Sequence, residues 1–236
     1  MSEGSRRRRL WQLGAVGLFA AILVGVAVVV FGASTGVELG DLPAQSRQVE
    51  ATLGGIPQRG TELGGVGAPA TLVEFADPQC PFCGTFARDV LPDVVRRYVR
   101  GGRLRLRLEL LTILGDDSER IARVAAAASL QGRAWDFMEL AYENQGDEGS
   151  GYATDTYLRR IARATPGLDA GRALRAAGSA AASAVLDSAS AKASALSVDS
   201  TPTFYVEQRG KAPEEVRPSD LTPAAFAAAL DPLLRR

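Results

Sequence analysis

Two cysteines three positions apart, Cys80 and Cys83, and no histidine in 236 residues confine the chemistry this chain can perform. Two cysteines can close a disulfide but cannot by themselves complete a tetrahedral zinc site. Without histidine, imidazole metal ligation and Ser-His-Asp or Cys-His catalysis each lose a member. The reactive groups are thiols, and the reading calls for no metal and no cofactor beyond a redox-active Cys80–Cys83 disulfide.

The sequence around the cysteines suits exchange. Thr71–Phe75 is apolar and β-branched apart from Glu74, and it ends at Asp77-Pro78, so it reads as a buried strand leaving the sheet in a tight turn. Pro81 suits the first position of a helix, where its missing N–H would be unpaired anyway. Cys80 would then sit at a helix N-terminus, where unpaired N–H groups and the helix dipole favour the thiolate that attacks disulfides. Cys83, nearly one turn later, is placed to attack the mixed disulfide and release it. A purely structural bridge is the weaker reading, because so short a loop gives the least stabilisation. Half of an intermolecular zinc site sits badly with Pro81 opening a helix.

Two further features lie within reach of this pair. Glu74, six residues before Cys80, reads either as a partly buried acid with a raised pKa exchanging protons with Cys83, or as an edge-strand carboxylate reaching solvent. Thr201-Pro202 precedes a strand, Thr203–Glu207; an X-Pro bond there can be cis and leaves a backbone edge free for an extended peptide, although most such pairs are trans turns.

The elements that must position these residues follow from periodicity. Phe82, Phe86, Val90, Val94, Val95, Tyr98 and Val99 recur at helical spacing up to Gly101-Gly102, with a kink expected at residues 89–91 ahead of Pro92. Residues 103–110 alternate as a strand. Residues 116–197, rich in Ala, Arg and Ser, read as four or five closely packed helices. A hairpin from Thr203–Glu207 to residues 215–217 and a helix capped by Thr222-Pro223 complete an α/β sandwich with a helical insertion.

Ahead of this domain, residues 10–37 carry no charge, and residues 13–31 are long and apolar enough to span a bilayer. We read residues 1–9 as a basic cytoplasmic tail and 10–32 as an uncleaved transmembrane anchor. A signal peptide is the alternative, with Phe31 a poor fit two residues before Ala33; a twin-arginine export signal at Ser5-Arg6-Arg7 is a minor one. Residues 33–60 read as a Gly- and Pro-containing stalk with a short strand near Gln48–Leu53, and 61–236 as the domain, on the outer side of the cell membrane. Four arginines against one glutamate in residues 1–10 leave the rest of a net-neutral chain with three negative charges. An acidic body without a basic patch gives no reason to expect nucleic acid as a partner.

Thr71-Leu72-Val73-Glu74-Phe75, Asp77 to Cys83, Gln131-Gly132-Arg133-Ala134-Trp135 and Ser200 to Phe204 together resemble the DsbA-like thioredoxin-fold proteins, in their membrane-tethered bacterial subgroup. The resemblance covers residues 54–235 and implies a thioredoxin fold, preceded by one transmembrane helix, with a helical domain inserted before the last hairpin. It implies disulfide exchange with exported proteins bearing free thiols, and a membrane redox partner that reoxidises the pair. Cys80 matches the attacking cysteine, Cys83 the resolving one, Pro202 the cis-proline preceded by Thr201, and Glu74 the buried acid. Phe82 departs from the strongly oxidising members, which carry His there to stabilise the thiolate. That leaves three readings: a dithiol oxidase, a reductase or isomerase of the same compartment, and a non-catalytic peptide-binding module. Residues 35–60 look too short for a dimerisation domain, so a monomer is expected.

Overall fold

The six-stranded sheet is built around one strand that is apolar on both sides. In this computed structural model, which describes residues 38–235, β3 (Ala70–Ala76) is buried at every position. Its neighbours are β4 (Leu104–Leu110), parallel, and β5 (Thr203–Gln208), antiparallel. The short strands β1 (Gln58–Arg59) and β2 (Glu62–Leu63) extend the sheet beyond β4, and β6 (Glu214–Val216) extends it beyond β5, giving the order β1-β2-β4-β3-β5-β6. A strand buried on both faces has no reason to alternate, which is why TLVEF lacks a polar period.

The parallel β3–β4 pair requires a crossover, supplied by the helix after the cysteines. It begins as α2 (Pro81–Thr85), passes through a π-helical turn (Phe86–Val90) into α3 (Leu91–Val94), and ends in a second π-helical turn (Val95–Val99). The irregularity falls at the kink expected ahead of Pro92: the Leu91 N–H donates to the Phe86 carbonyl five residues back, and Pro92 has no N–H to donate. Phe86, Val90, Val94, Val95, Tyr98 and Val99 are buried as the spacing predicts. Phe82 is not: it is 64% exposed and belongs to the surface beside the cysteines rather than to the core-facing stripe.

Between β4 and β5 the insertion consists of five helices, α4 (Asp116–Ser129), α5 (Ala134–Glu143), α6 (Asp155–Ala164), α7 (Ala170–Ala176) and α8 (Ala180–Ala195). Their alanines are contact surface. Ala126 and Ala127 meet Ala173 and Ala182, and Ala189 and Ala193 of α8 pack on Val73 and Phe75 of β3. The final helix, α9 (Pro223–Leu234), starts where Thr222 accepts from the Ala225 N–H, and its Phe226 packs 5.2 Å from Phe86 and 5.0 Å from Phe204. Fully burying such a ring contributes roughly 1.5–3 kcal/mol.

The stretch expected to be stalk is corrected by the structure. Residues 42–53 form α1 (Leu42–Leu53), not a strand, and it packs on α5 within the compact unit that begins at Gly36. Asp41 caps it by accepting from the Ala44 N–H, and Pro43 lies in its first turn, where proline starts helices rather than marking linkers. Only Leu42, Val49 and Leu53 are buried along it, so the apolar stripe is too sparse to register as a helical period. Asn144 ties it to the insertion, accepting from Gly40 N–H and donating to Gln45 Oε1. The expected basic tail at 1–9 and anchor at 10–32 lie outside the described residues. No helix among the described residues is long and apolar enough to cross a membrane.

Candidate active site

β3 delivers the chain to the cysteines through a turn pinned on three sides. The buried Asp77 carboxylate accepts from the N–H groups of Gln79 (2.8 Å) and Leu114 (3.0 Å) and from the Ser118 hydroxyl. The Gln79 side chain donates to the Leu114 carbonyl (2.7 Å) and to Ser118 Oγ (3.0 Å), and accepts from Gly149 N–H (2.8 Å). From the insertion, Gln145 donates to the carbonyls of Pro78 (2.9 Å) and Cys80 (3.0 Å), and Tyr142 donates to the Asp77 carbonyl (3.2 Å). Each of these groups would be a buried orphan without its partner, so the turn has one low-energy arrangement.

At the end of this turn Cys80 takes an extended conformation as the N-cap of α2, and Pro81 opens the helix. Cys80 is 4% exposed and Cys83 fully buried, so the two thiols share a motif but not an environment. Both are free thiols in this structure. The Thr201–Pro202 bond is cis, and it turns the Thr201 carbonyl oxygen to 3.1 Å from Cys80 Sγ, where the thiol donates to it.

The electrostatics separate the pair further. A hydrogen bond from the Cys83 thiol is the largest influence favouring the Cys80 thiolate. The Thr201 side chain and the N–H groups of Cys83 and Phe82 add to it, and against the opposition of burial they bring Cys80 down to about 6. Burial, the hydrogen bond to Cys80 and the charges of Glu74 and Cys80 hold the Cys83 thiol well above its ordinary range. Near neutral pH one sulfur is an anion and the other a protonated thiol.

The edge-strand reading of Glu74 fails. It is 4% exposed, between Leu108 of β4 and Phe204 of β5 in the sheet, and burial followed by the Cys80 charge pushes it up to about 8. Its Oε1 has no hydrogen-bond partner. The structure therefore gathers Glu74, Cys80, Pro81, Phe82, Cys83, Thr201 and Pro202 at one end of the sheet. Asp77, Gln79, Tyr142 and Gln145 went unassigned by the sequence reading. Asp77 and Gln79 stand beside the cysteines in sequence, a signal that could have found them, whereas the insertion residues have none that composition reveals. No group of three or more Cys, Asp or Glu side chains among the described residues could hold a metal ion.

Comparison with known proteins agrees with this architecture. A family model described as thioredoxin matches residues 58–231. The chain is 31% identical over 109 residues to a protein named disulfide bond formation protein D from Bacillus subtilis (strain 168), covering 44% of this chain and 47% of that one. It is 31% identical over 103 residues to a probable disulfide bond formation protein D from Bacillus cereus, covering 43% and 48%. The chain thus spans about half the length of the curated relatives it matches. Among solved structures, oxidised BdbD from Bacillus subtilis superposes with a TM-score of 0.63 at 21% identity, covering 77% of this chain and 98% of that one. A thioredoxin-like oxidoreductase from Silicibacter pomeroyi DSS-3 gives 0.58 at 27% identity, covering 79% and 98%. Chlamydia trachomatis DsbA gives 0.62 at 18%, covering 74% and 91%. With the family model spanning most of the chain and the fold shared with these structures, this chain belongs to the thioredoxin family, in the DsbA-like form of its fold.

Proposed function

We propose that the chain is a thiol-disulfide oxidoreductase that acts as a dithiol oxidase, donating the Cys80–Cys83 disulfide to exported proteins with free thiols. The observation that carries this reading is the inequality of the two thiols: an anion-favouring Cys80 at the helix N-terminus beside Thr201–Pro202, and a buried, protonated Cys83 behind it. A substrate thiolate attacks Cys80 Sγ, the Cys80–Cys83 bond breaks, and Cys83 leaves. A second substrate thiolate then attacks the substrate sulfur, expelling Cys80 as a thiolate, which the site already favours. Two substrate thiols become a disulfide and the enzyme's disulfide becomes two thiols. The chain ahead of Thr203 offers backbone next to Cys80, suited to pairing with an extended substrate segment.

The names of the curated relatives support this reading, as does the uncharged stretch of residues 10–37, which on this proposal anchors a monomer in the cell membrane with residues 33 onward outside. No nucleic acid takes part. A membrane redox partner would restore the disulfide. The exposed Phe82 favours a second reading, a reductase or isomerase, because it supplies neither charge nor hydrogen bond to the thiolate.

The test is the redox equilibrium of the purified full chain in detergent against glutathione, with free thiols counted by alkylation and mass. A potential towards the oxidising end of the thioredoxin-like range supports the oxidase, and one towards the reducing end moves the case to a reductase. A pair that does not exchange, or exchange that survives Cys80→Ser, sinks the proposal.

A further inference from the structure

A second carboxyl group lies in the core behind the thiols, and thiol exchange as described makes no use of it. Strand alternation puts Glu74 on the face of β3 shared by Leu72 and Ala76. Those residues pack in the cluster that also holds Cys80, Cys83, Phe86, Met138 and Tyr142. Glu139 follows Met138 on α5, one turn before Tyr142, whose hydroxyl reaches the Asp77 carbonyl just past the end of β3. Glu139 is only 9% exposed. Among the described residues no ion pair within 4.0 Å involves Glu74 or Glu139, and Glu74 Oε1 has no hydrogen-bond partner. Two carboxyl groups sharing an apolar interior without a paired cation cannot both ionise cheaply.

We propose that Glu139 is a positioning residue for the exchange reaction: acting through Glu74, it holds a proton in the buried acid pair, so that Glu74 is in its acid form when Cys83 leaves. The proposal rests on the oxidoreductase reading. In the first step the substrate S–Cys80 bond forms and the Cys80–Cys83 bond breaks, with its electron pair passing to Cys83 Sγ. The Glu74 O–H gives its proton to that sulfur and becomes a carboxylate. With Glu139 still protonated, that carboxylate meets a neutral acid instead of a second negative charge.

The surroundings of Glu139 act in the same direction. Burial comes first, then the negative charges of Glu74, Glu143 and Asp136, all opposing its ionisation, with Arg88 from the helix after the cysteines favouring it. From the other elements packed on α5, α1 brings Glu50 to bear on Asp136, α6 brings the Tyr157 hydroxyl to the Ala141 carbonyl, and Asp117 of α4 is held by N–H groups of residues 151–153.

The test is an infrared titration of protonated carboxyl groups in the reduced full chain, with Glu74→Gln identifying the Glu74 band. Glu139→Gln should lower the pH at which Glu74 ionises by about one unit, a tenfold change in its ionisation constant. The alkaline limb of the rate of reaction with a small disulfide should move with it, and Glu139→Gln should add no shift in a Glu74→Gln background. A Glu74 midpoint left unmoved overturns the proposal, since a merely structural Glu139 would alter stability alone. Should Gln not be accommodated, Glu139→Met, apolar and of similar length, gives the same readout. The infrared titration needs no turnover, so its failure is distinguishable from failure of the oxidoreductase reading.

Discussion

The Cys80 sulfur lies 3.1 Å from the Thr201 carbonyl oxygen, across 121 residues of sequence. The contact joins the start of the crossover helix to the start of β5, the two places where the candidate site leaves the regular sheet. Any peptide held by the backbone ahead of β5 is therefore presented to this sulfur, and the ionisation of Cys80 sets how readily the sulfur reacts or departs.

With Cys80 brought down to about 6, alkylation of the reduced chain by iodoacetamide should follow one titration with its midpoint near pH 6, falling about tenfold per unit below it. The Cys80→Ser variant should lose this reactivity. A midpoint in the ordinary thiol range would show that the helix N-terminus and the Cys83 thiol do not stabilise the anion.

Replacing the resolving thiol should trap the reaction halfway. Cys83→Ser keeps the Cys80 nucleophile but removes the group that displaces a bound substrate, so mixed disulfides should accumulate and appear off the diagonal in two-dimensional non-reducing and reducing gels. Their absence would remove Cys83 from that role.

Glu74 links stability to pH. Its folded-state value, about 8, lies above its ordinary value, so the folded chain binds the extra proton and stability is lost as pH rises from that ordinary value towards 8. Glu74→Gln should therefore be more stable than the parent at pH 7 by roughly 3 kcal/mol and nearly equal to it at pH 4, measured by urea unfolding of the reduced form. A difference independent of pH would place the effect in packing instead.

Gln145 bonds both the Pro78 and Cys80 carbonyls. Gln145→Ala should cost about 1–3 kcal/mol in the same unfolding assay, because it leaves these acceptors unpaired behind the cysteines. The Cys80 alkylation midpoint should also move as the turn loosens. Unchanged stability would mean that solvent replaces the amide without loss.

Phe82 is exposed between the cysteines and brings no charge. Phe82→His should favour the Cys80 thiolate and shift the equilibrium with glutathione about tenfold towards a more oxidising disulfide, read by thiol counting. An equilibrium that does not move would show that this position does not set the redox poise.

By itself the sequence determined the chemistry and the order of the elements. Two cysteines without histidine leave only thiol reactions, and local grammar is enough for the β3–turn–Pro81 start, the alanine-rich insertion and the final hairpin and helix, because each depends on neighbours within a few turns. It misjudged α1, whose three buried residues are too sparse to show a period until α5 is there to bury them. It also put Phe82 on a core-facing stripe, although the turn at Cys80 aims that side chain outward. Only the tertiary structure decided between a buried and an exposed Glu74, because burial depends on β4, β5 and the helices that cover that face. The same holds for Thr201 at Cys80, Gln145 and Tyr142 on the turn, and Glu139 behind the thiols: each is brought to the cysteines by long-range packing, and nothing in its own stretch of sequence records where it arrives.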